Sequence, residues 1–190
     1  MLGLASSTDA RWIDAALGDL DGLLLDHLHC ELKAAANSTA LVARYPMYPR
    51  LVRELTELAR EELTHVQQVA AEMEARGVAA RPPDEDAYAR ALRRASADGR
   101  GDPLLDRLTV AALIEARSCE RLQLLSKHGP TEPLRQWYGE LFASEARHFR
   151  LFATLAEDIG GPERARARLK LLAEREADVA AAQPLAARIH

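Results

Sequence analysis

Two short segments carry the same pair of metal-ligating residue types at the same spacing. "REELTH", Arg60 to His65, and "ASEARH", Ala143 to His148, each contain Glu-x-x-His: Glu62 with His65, and Glu145 with His148. On a helix, residues three apart share a face, so each carboxylate lies beside its imidazole. Both pairs sit in apolar stripes. Leu51, Leu55, Leu58, Val66, Val69 and Met73 flank the first, and Leu141, Phe142, Leu151 and Phe152 the second. A carboxylate among Leu and Phe is costly unless something neutralises it. A lone Glu-x-x-His is commonly a solvated surface pair, so the weight rests on the recurrence and on what stands upstream.

Upstream of each pair lies one further Glu on an apolar face. Glu31 sits in "LDHLHCELKAAA" with Leu24, Leu28, Ala35 and Val42 on its side, and Glu115 in "VAALIEARSCERL" with Leu108, Ala111, Ala112 and Cys119. Glu31 precedes Glu62 by 31 residues, and Glu115 precedes Glu145 by 30. In two antiparallel helix pairs, such near-equal separations put each lone Glu at the depth of its Glu-x-x-His. Four carboxylates and two imidazoles then converge on one interior layer. Bare, these carboxylates would repel one another and some would have to stay protonated. Two divalent metals remove that difficulty, and oxygen with imidazole nitrogen suits iron or manganese better than thiolate-preferring metals. A pair of irons is expected, each with one His and one terminal Glu (Glu31 or Glu115), and with Glu62 and Glu145 shared as bridges.

Glu120 competes with Glu115 for the fourth position, although its separation of 25 residues from Glu145 breaks the symmetry. Glu61 and Ser144, directly before the bridging residues, are candidates to hydrogen-bond the free nitrogen of a His ligand. His27, one turn before Glu31, is expected to be hydrogen-bonded or solvent-facing, and His29 exposed. Tyr45, Tyr48, Tyr88 and Tyr138 fall near helix ends rather than one turn from a ligand, which argues against a stored tyrosyl radical. Trp12 and Trp137 read as packing residues.

Pro and Gly delimit the elements that must position these residues. Four long helices are expected: Leu20 to Ala43, about Tyr48 to Arg76, Pro103 to His128, and Glu132 to Ile159. Gly77 ends the second, and Asp102-Pro103 opens the third as cap and first-turn proline. "DARWIDAALGDLDG" before them is a short helix or an irregular lead-in. A shorter basic helix lies in "ARPPDEDAYARALRRAS", stopped by "DGRGDP", and a further helix from Glu163 to Ala182 precedes a frayed tail. No strand alternation stands out. The expected fold is all-α: a ferritin-like four-helix bundle with a crossover helix between helices two and three and an extra C-terminal helix. One domain is expected over 1–190, with the core bundle at about 20–160 and the peripheral C-terminal helix at about 163–182.

Composition agrees. The 190 residues are 48% hydrophobic, 28% charged and only 5% aromatic, which favours soluble helix over sheet. No apolar run approaches the roughly 18 residues of a bilayer span. The N-terminus lacks a basic segment followed by a long apolar one, so no signal peptide is read. Cys30 and Cys119 are then expected to be reduced, buried hydrophobes in a cytoplasmic protein. The net charge of −4 comes from 29 Asp plus Glu against 25 Lys plus Arg, so the four proposed ligand carboxylates account for the whole excess. With metal bound, the exterior has no acidic bias. Arg90, Arg93, Arg94 and Arg100 form one basic cluster, and Arg164, Arg166, Arg168 and Lys170 another. Each is either a solvated helix face or a phosphate site.

Two ferrous ions held side by side would reduce dioxygen together, and the apolar wall would exclude water from the reaction. That chemistry leaves the organic acceptor open. Here "LLLDHLHCELKAAANSTALVARYP", "LTELAREELTHVQQVAAEMEARGV", "ALIEARSCERLQLL" and "YGELFASEARHFRLF" together resemble the MiaE family of tRNA hydroxylases, from about Leu20 to Ala177. "EARSCER" and "SEARH" are the most distinctive pieces. The resemblance implies a ferritin-like di-iron monooxygenase that uses O2 to hydroxylate the isopentenyl group of a methylthio-isopentenyl adenosine beside the anticodon. It also implies Glu31, Glu62, His65, Glu115, Glu145 and His148 as the ligands. The partners would be the anticodon loop of tRNA and an external reductase supplying two electrons, and the protein a monomer or small oligomer. Arg90, Arg93, Arg94, Arg166 and Arg168 become candidates for contacting tRNA. The competing readings are an iron-oxidising or peroxide-scavenging protein of the ferritin or rubrerythrin type, a dimanganese catalase, and a metal-free bundle.

Overall fold

In the computed structural model, which describes residues 2–83, 85–97 and 102–190, every regular element is a helix. In chain order these are α1 (Trp12–Gly18), α2 (Leu20–Arg44), α3 (Pro49–Arg76), α4 (Ala87–Ser96), α5 (Pro103–His128), α6 (Glu132–Gly160) and α7 (Pro162–Ala181). No described helix is long and apolar enough to cross a membrane.

Local chemistry sets the boundaries. Asp19 Oδ1 accepts from Gly22 N at 3.0 Å to open α2, and Asp86 Oδ1 from Ala89 N at 2.8 Å to open α4. Asp102 Oδ1 caps α5 by accepting from the amides of Leu104 and Leu105, with Pro103 at the first turn. Thr131 caps α6. Gly77, at φ 71°, ends α3 in the left-handed conformation that a β-carbon disfavours, and Val78 N bonds back to Met73 O at 2.8 Å. The four long helices fall within a residue of their expected bounds, and the shorter basic helix, α4, lies inside the stretch expected to contain it. The lead-in contains a defined helix, α1, and α7 begins at Pro162.

The described residues group into two compact units. The first takes Gly18 to Pro83 with Ala187–Ile189 and consists of the α2/α3 hairpin. The second takes Leu2 to Leu17, Glu85–Ala186 and His190. In it α5 and α6 pair as a second hairpin, with α7 against both and α4 against α5 and α7. One core of the second unit joins Leu4, Tyr88, Leu92, Leu113 and Leu172, with Phe149 and Leu169 packed on it. A leucine buried this completely stabilises by roughly 1.5–3 kcal/mol.

The tail is not frayed as expected. Ile189 is buried and its amide donates to Asp26 Oδ2 at 2.7 Å in the first unit. In the second unit the His190 ring lies 5.5 Å from that of Tyr88. A backbone bond and a buried Ile are what the composition of the last residues does not announce.

Candidate metal centre

The periodicity that builds each hairpin also aims its polar residues inward. On α2 the buried positions Leu24, Leu28, Glu31 and Ala35 recur at three- and four-residue spacing, and on α3 Leu55, Leu58, Glu62, His65 and Val69 do so. Glu31, Glu62 and His65 therefore meet inside the first hairpin, each offering a ligand atom within 4.8 Å of the others. His65 Nδ1 stands 3.1 Å from Glu62 Oε2 and 3.5 Å from Glu31 Oε2.

The other Glu31 oxygen lies 2.7 Å from His27 Nε2, and the His27 side chain is completely buried. Burial pushes the Glu31 carboxyl up, but hydrogen bonds from His27 and His65 outweigh it and hold the group well below the usual carboxylate range. Glu31 is thus an anion locked in orientation. Of the two environments expected for His27, the structure selects the hydrogen-bonded one. His29 is half-buried rather than exposed, because Nε2 pairs with Arg81 O at 2.8 Å.

The second hairpin repeats the construction. Glu115 on α5 and Glu145 and His148 on α6 are buried, with ligand atoms within 4.8 Å of one another. His148 Nδ1 is 3.3 Å from Glu145 Oε2, and Nε2 is 3.4 Å from Ser144 Oγ, which also accepts from Arg147 Nη2 at 3.1 Å. With the ring proton on Nε2 and donated to Ser144, the Nδ1 lone pair is left on the carboxylate side. Glu61 is half-buried. Cys119 donates to Phe142 O at 3.6 Å; burial, then the Glu145 and Glu115 charges, push its thiol up to about 12.

Glu120 is placed elsewhere. Its Oε2 accepts from Thr8 N at 2.8 Å and from Arg117 Nη1 at 2.7 Å, outside the Glu115, Glu145 and His148 group. Arg117 is a feature the sequence reading missed. Only 1% exposed, it donates to both oxygens of Glu176, at 2.9 and 2.8 Å, and Tyr88 Oη donates to Glu176 Oε1 at 2.8 Å. One signal was present: Glu176 falls on the apolar stripe of α7 with Ala165, Leu172 and Ala173.

Arg168 occupies the same stripe, and its expected role is corrected. It is 8% exposed, with Nε bonded to Asp106 Oδ1 and Nη2 to Ser96 O, both at 2.7 Å. Its charge is therefore satisfied internally. Arg166 is exposed and paired with Glu157 at 3.0 Å; Arg90 is paired with Glu85, and Arg93 and Arg94 are exposed. Arg100 lies outside the described residues.

Each hairpin thus supplies two buried carboxylates and one imidazole whose Nδ1 faces them. Such oxygen and nitrogen donors without thiolate fit iron or manganese.

Comparison with known proteins bears on the reaction. The family model described as tRNA-(MS[2]IO[6]A)-hydroxylase (MiaE) matches residues 2–190. The chain is 43% identical over 157 residues to the tRNA 2-(methylsulfanyl)-N(6)-isopentenyladenosine(37) hydroxylase of Pseudomonas putida, covering 83% of this chain and 76% of that protein. It is 30% identical over 221 residues to the hydroxylase of the same name from Salmonella typhimurium, covering 90% and 81%. Among solved structures, a Synechococcus protein described as having aldehyde deformylating oxygenase activity matches with a TM-score of 0.90 and 40% identity, over 98% of this chain and 94% of that one. The fold class is accordingly all-α and ferritin-like.

Proposed function

Because this chain belongs to the MiaE family of tRNA hydroxylases, we propose that it hydroxylates the isopentenyl group of 2-methylthio-N6-isopentenyl adenosine beside the anticodon of tRNA. The supporting observation is the twofold set of two glutamates and one histidine, buried at matching positions of two helical hairpins. In this reading residues 1–190 act as one domain, and both sets close around one pair of irons. Glu31, Glu62 and His65 of the first hairpin and Glu115, Glu145 and His148 of the second would be the residues that hold them.

Bound there, the irons supply two-electron activation of dioxygen. The balance is R–H plus O2, two electrons and two protons giving R–OH and water. An external reductase provides the electrons, since nothing in the sequence resembles a flavin or nicotinamide site.

The chain's own residues set the conditions. The hydrogen bond from His27 keeps Glu31 anionic and fixed, and Ser144 holds the His148 ring so that Nδ1 is presented as a ligand. Leu141 and Phe152 are buried on the same helix as Glu145 and His148, so that face of α6 is apolar, as a water-excluding site requires. A prenyl group on a single-stranded loop base can enter such a site without any duplex being melted. The protein works where tRNA is found, in the cytoplasm, as a monomer or small oligomer.

The test is incubation of iron-loaded, reduced protein with O2 and prenylated tRNA, followed by nucleoside mass analysis. A gain of one oxygen on the prenylated adenosine is expected. A second arm offers a long-chain aldehyde, because the Synechococcus protein carries aldehyde deformylating activity. Loss of the formyl carbon there, with the nucleoside untouched, would overturn the hydroxylase reading.

A further inference from the structure

The second unit distributes its positive charge unevenly. At the end of α4, Arg168 Nη2 donates to Ser96 O and Arg175 Nη1 to Ala95 O, so two α7 cations cap the α4 carbonyls. Arg168 also holds Asp106, which draws the first turn of α5 to the same junction. Four more arginines lie within about a turn of these residues along the same helices. Arg93 and Arg94 lie in the last turn of α4, Arg107 follows Asp106, and Arg164 is one turn before Arg168. All four are exposed, and none has a side-chain partner among the described residues.

Among the described residues, most adjacent acids are committed elsewhere; Asp98 lies outside the described residues. Asp106 is engaged by Arg168, Glu157 by Arg166, and Asp102 by the amides of Leu104 and Leu105. Glu163 remains as an exposed carboxylate beside Arg164. In the first unit Arg53, Arg60 and Arg76 each pair with a Glu of their own helix, and Arg44 lies over the Tyr45 ring. Exposed guanidinium groups with no carboxylate partner among the described residues suit an external polyanion, and their fork geometry matches phosphate oxygens. Arg168 and Arg175 add a second effect. They offset the negative end of the α4 dipole, which would otherwise repel a phosphate.

We propose that the junction of α4, α5 and α7, with Arg93, Arg94, Arg107 and Arg164, is the surface on which the phosphate backbone of tRNA docks. The proposal rests on the hydroxylase reading for the identity of the nucleic acid. Arg107 precedes Glu115 by eight residues on one helix, or about 12 Å along the axis. A loop nucleotide splayed out from phosphates held there extends its base and prenyl group toward the Glu115 turn.

Binding of prenylated and unprenylated tRNA to the iron-loaded protein, measured against salt, tests this directly. R93Q/R94Q and R107Q/R164Q should each weaken both tRNAs at least about tenfold near 0.1 M salt and flatten the slope of log affinity against log salt by between about 1 and 2. R53Q/R60Q, carrying the same charge change on α3, should bind like the parent. Parental affinity and slope in the first two variants, or an equal loss in the third, would overturn the docking site. Nucleoside hydroxylation by the parent protein is scored separately. If the parent hydroxylates tRNA and the variants bind it normally, the docking surface alone is wrong; if it binds through these arginines but never oxygenates, the reaction alone is wrong.

Discussion

Arg117 grips Glu176 through two parallel hydrogen bonds, Nε to Oε1 at 2.9 Å and Nη2 to Oε2 at 2.8 Å, and neither side chain meets solvent appreciably. The pair ties α7 to α5 two residues beyond Glu115, and Tyr88, Glu120, Thr8 and the Ser6 carbonyl complete its hydrogen bonding. Removing one member of a buried pair strands the other charge and costs about 3–5 kcal/mol, whereas replacing both by apolar groups of similar volume is far less costly. Glu176→Ala and Arg117→Ala should therefore each lower stability by roughly that amount, and Arg117→Met with Glu176→Leu by much less than the two single losses combined. Denaturant unfolding of the three variants measures this; simple additivity would show that the pair is not acting as a unit.

The Cys119 thiol should be chemically silent in the folded protein. Burial and the neighbouring Glu145 and Glu115 charges push it from 9.0 up to about 12, so at pH 8 only about one molecule in ten thousand carries the thiolate. Because the folded state raises this value, the resulting stabilisation is fully present below about pH 9 and is lost as pH climbs toward 12. Alkylation at pH 8 should proceed only on addition of denaturant. Labelling of native Cys119 at the rate of a free cysteine would contradict the burial.

Iron stoichiometry distinguishes Glu115 from Glu120. Glu115 is buried beside Glu145 and His148, while Glu120 is occupied by Arg117 and Thr8. Glu115→Ala should abolish the full complement of two irons per chain, and Glu120→Ala should retain it. Metal analysis after reconstitution decides, and the reverse pattern would unseat Glu115.

His27 offers a test of how the site is held rather than what it contains. Its bond to Glu31 Oε1 at 2.7 Å orients a carboxylate that also faces His65. Losing a residue that orients a metal ligand typically reduces metal affinity by about 10- to 100-fold. His27→Ala should show a loss of that size in ferrous-iron titration, with the fold retained by circular dichroism. Unchanged affinity would mean that Glu31 is oriented by its other neighbours.

Much of this could be read before any coordinates. Helix termini follow from local chemistry, which is why Asp102-Pro103 and Gly77 marked their elements so closely. Glu31, Glu62, His65, Glu115, Glu145 and His148 were also legible, because a charged residue inside an apolar stripe of period 3.6 must face the core. Arg168 and Glu176 obeyed that same rule, yet their partners lie 62 and 59 residues away at Asp106 and Arg117. Spacing along a helix states which face a side chain occupies and is silent about which element packs against it. For that reason Arg168 looked like a free cation in the chain and is a buried anchor in the fold. His27 and His29 show the limit at short range: both sit on α2, two residues apart, yet one bonds Glu31 a turn along the same helix and only tertiary packing brings the other to the Arg81 carbonyl.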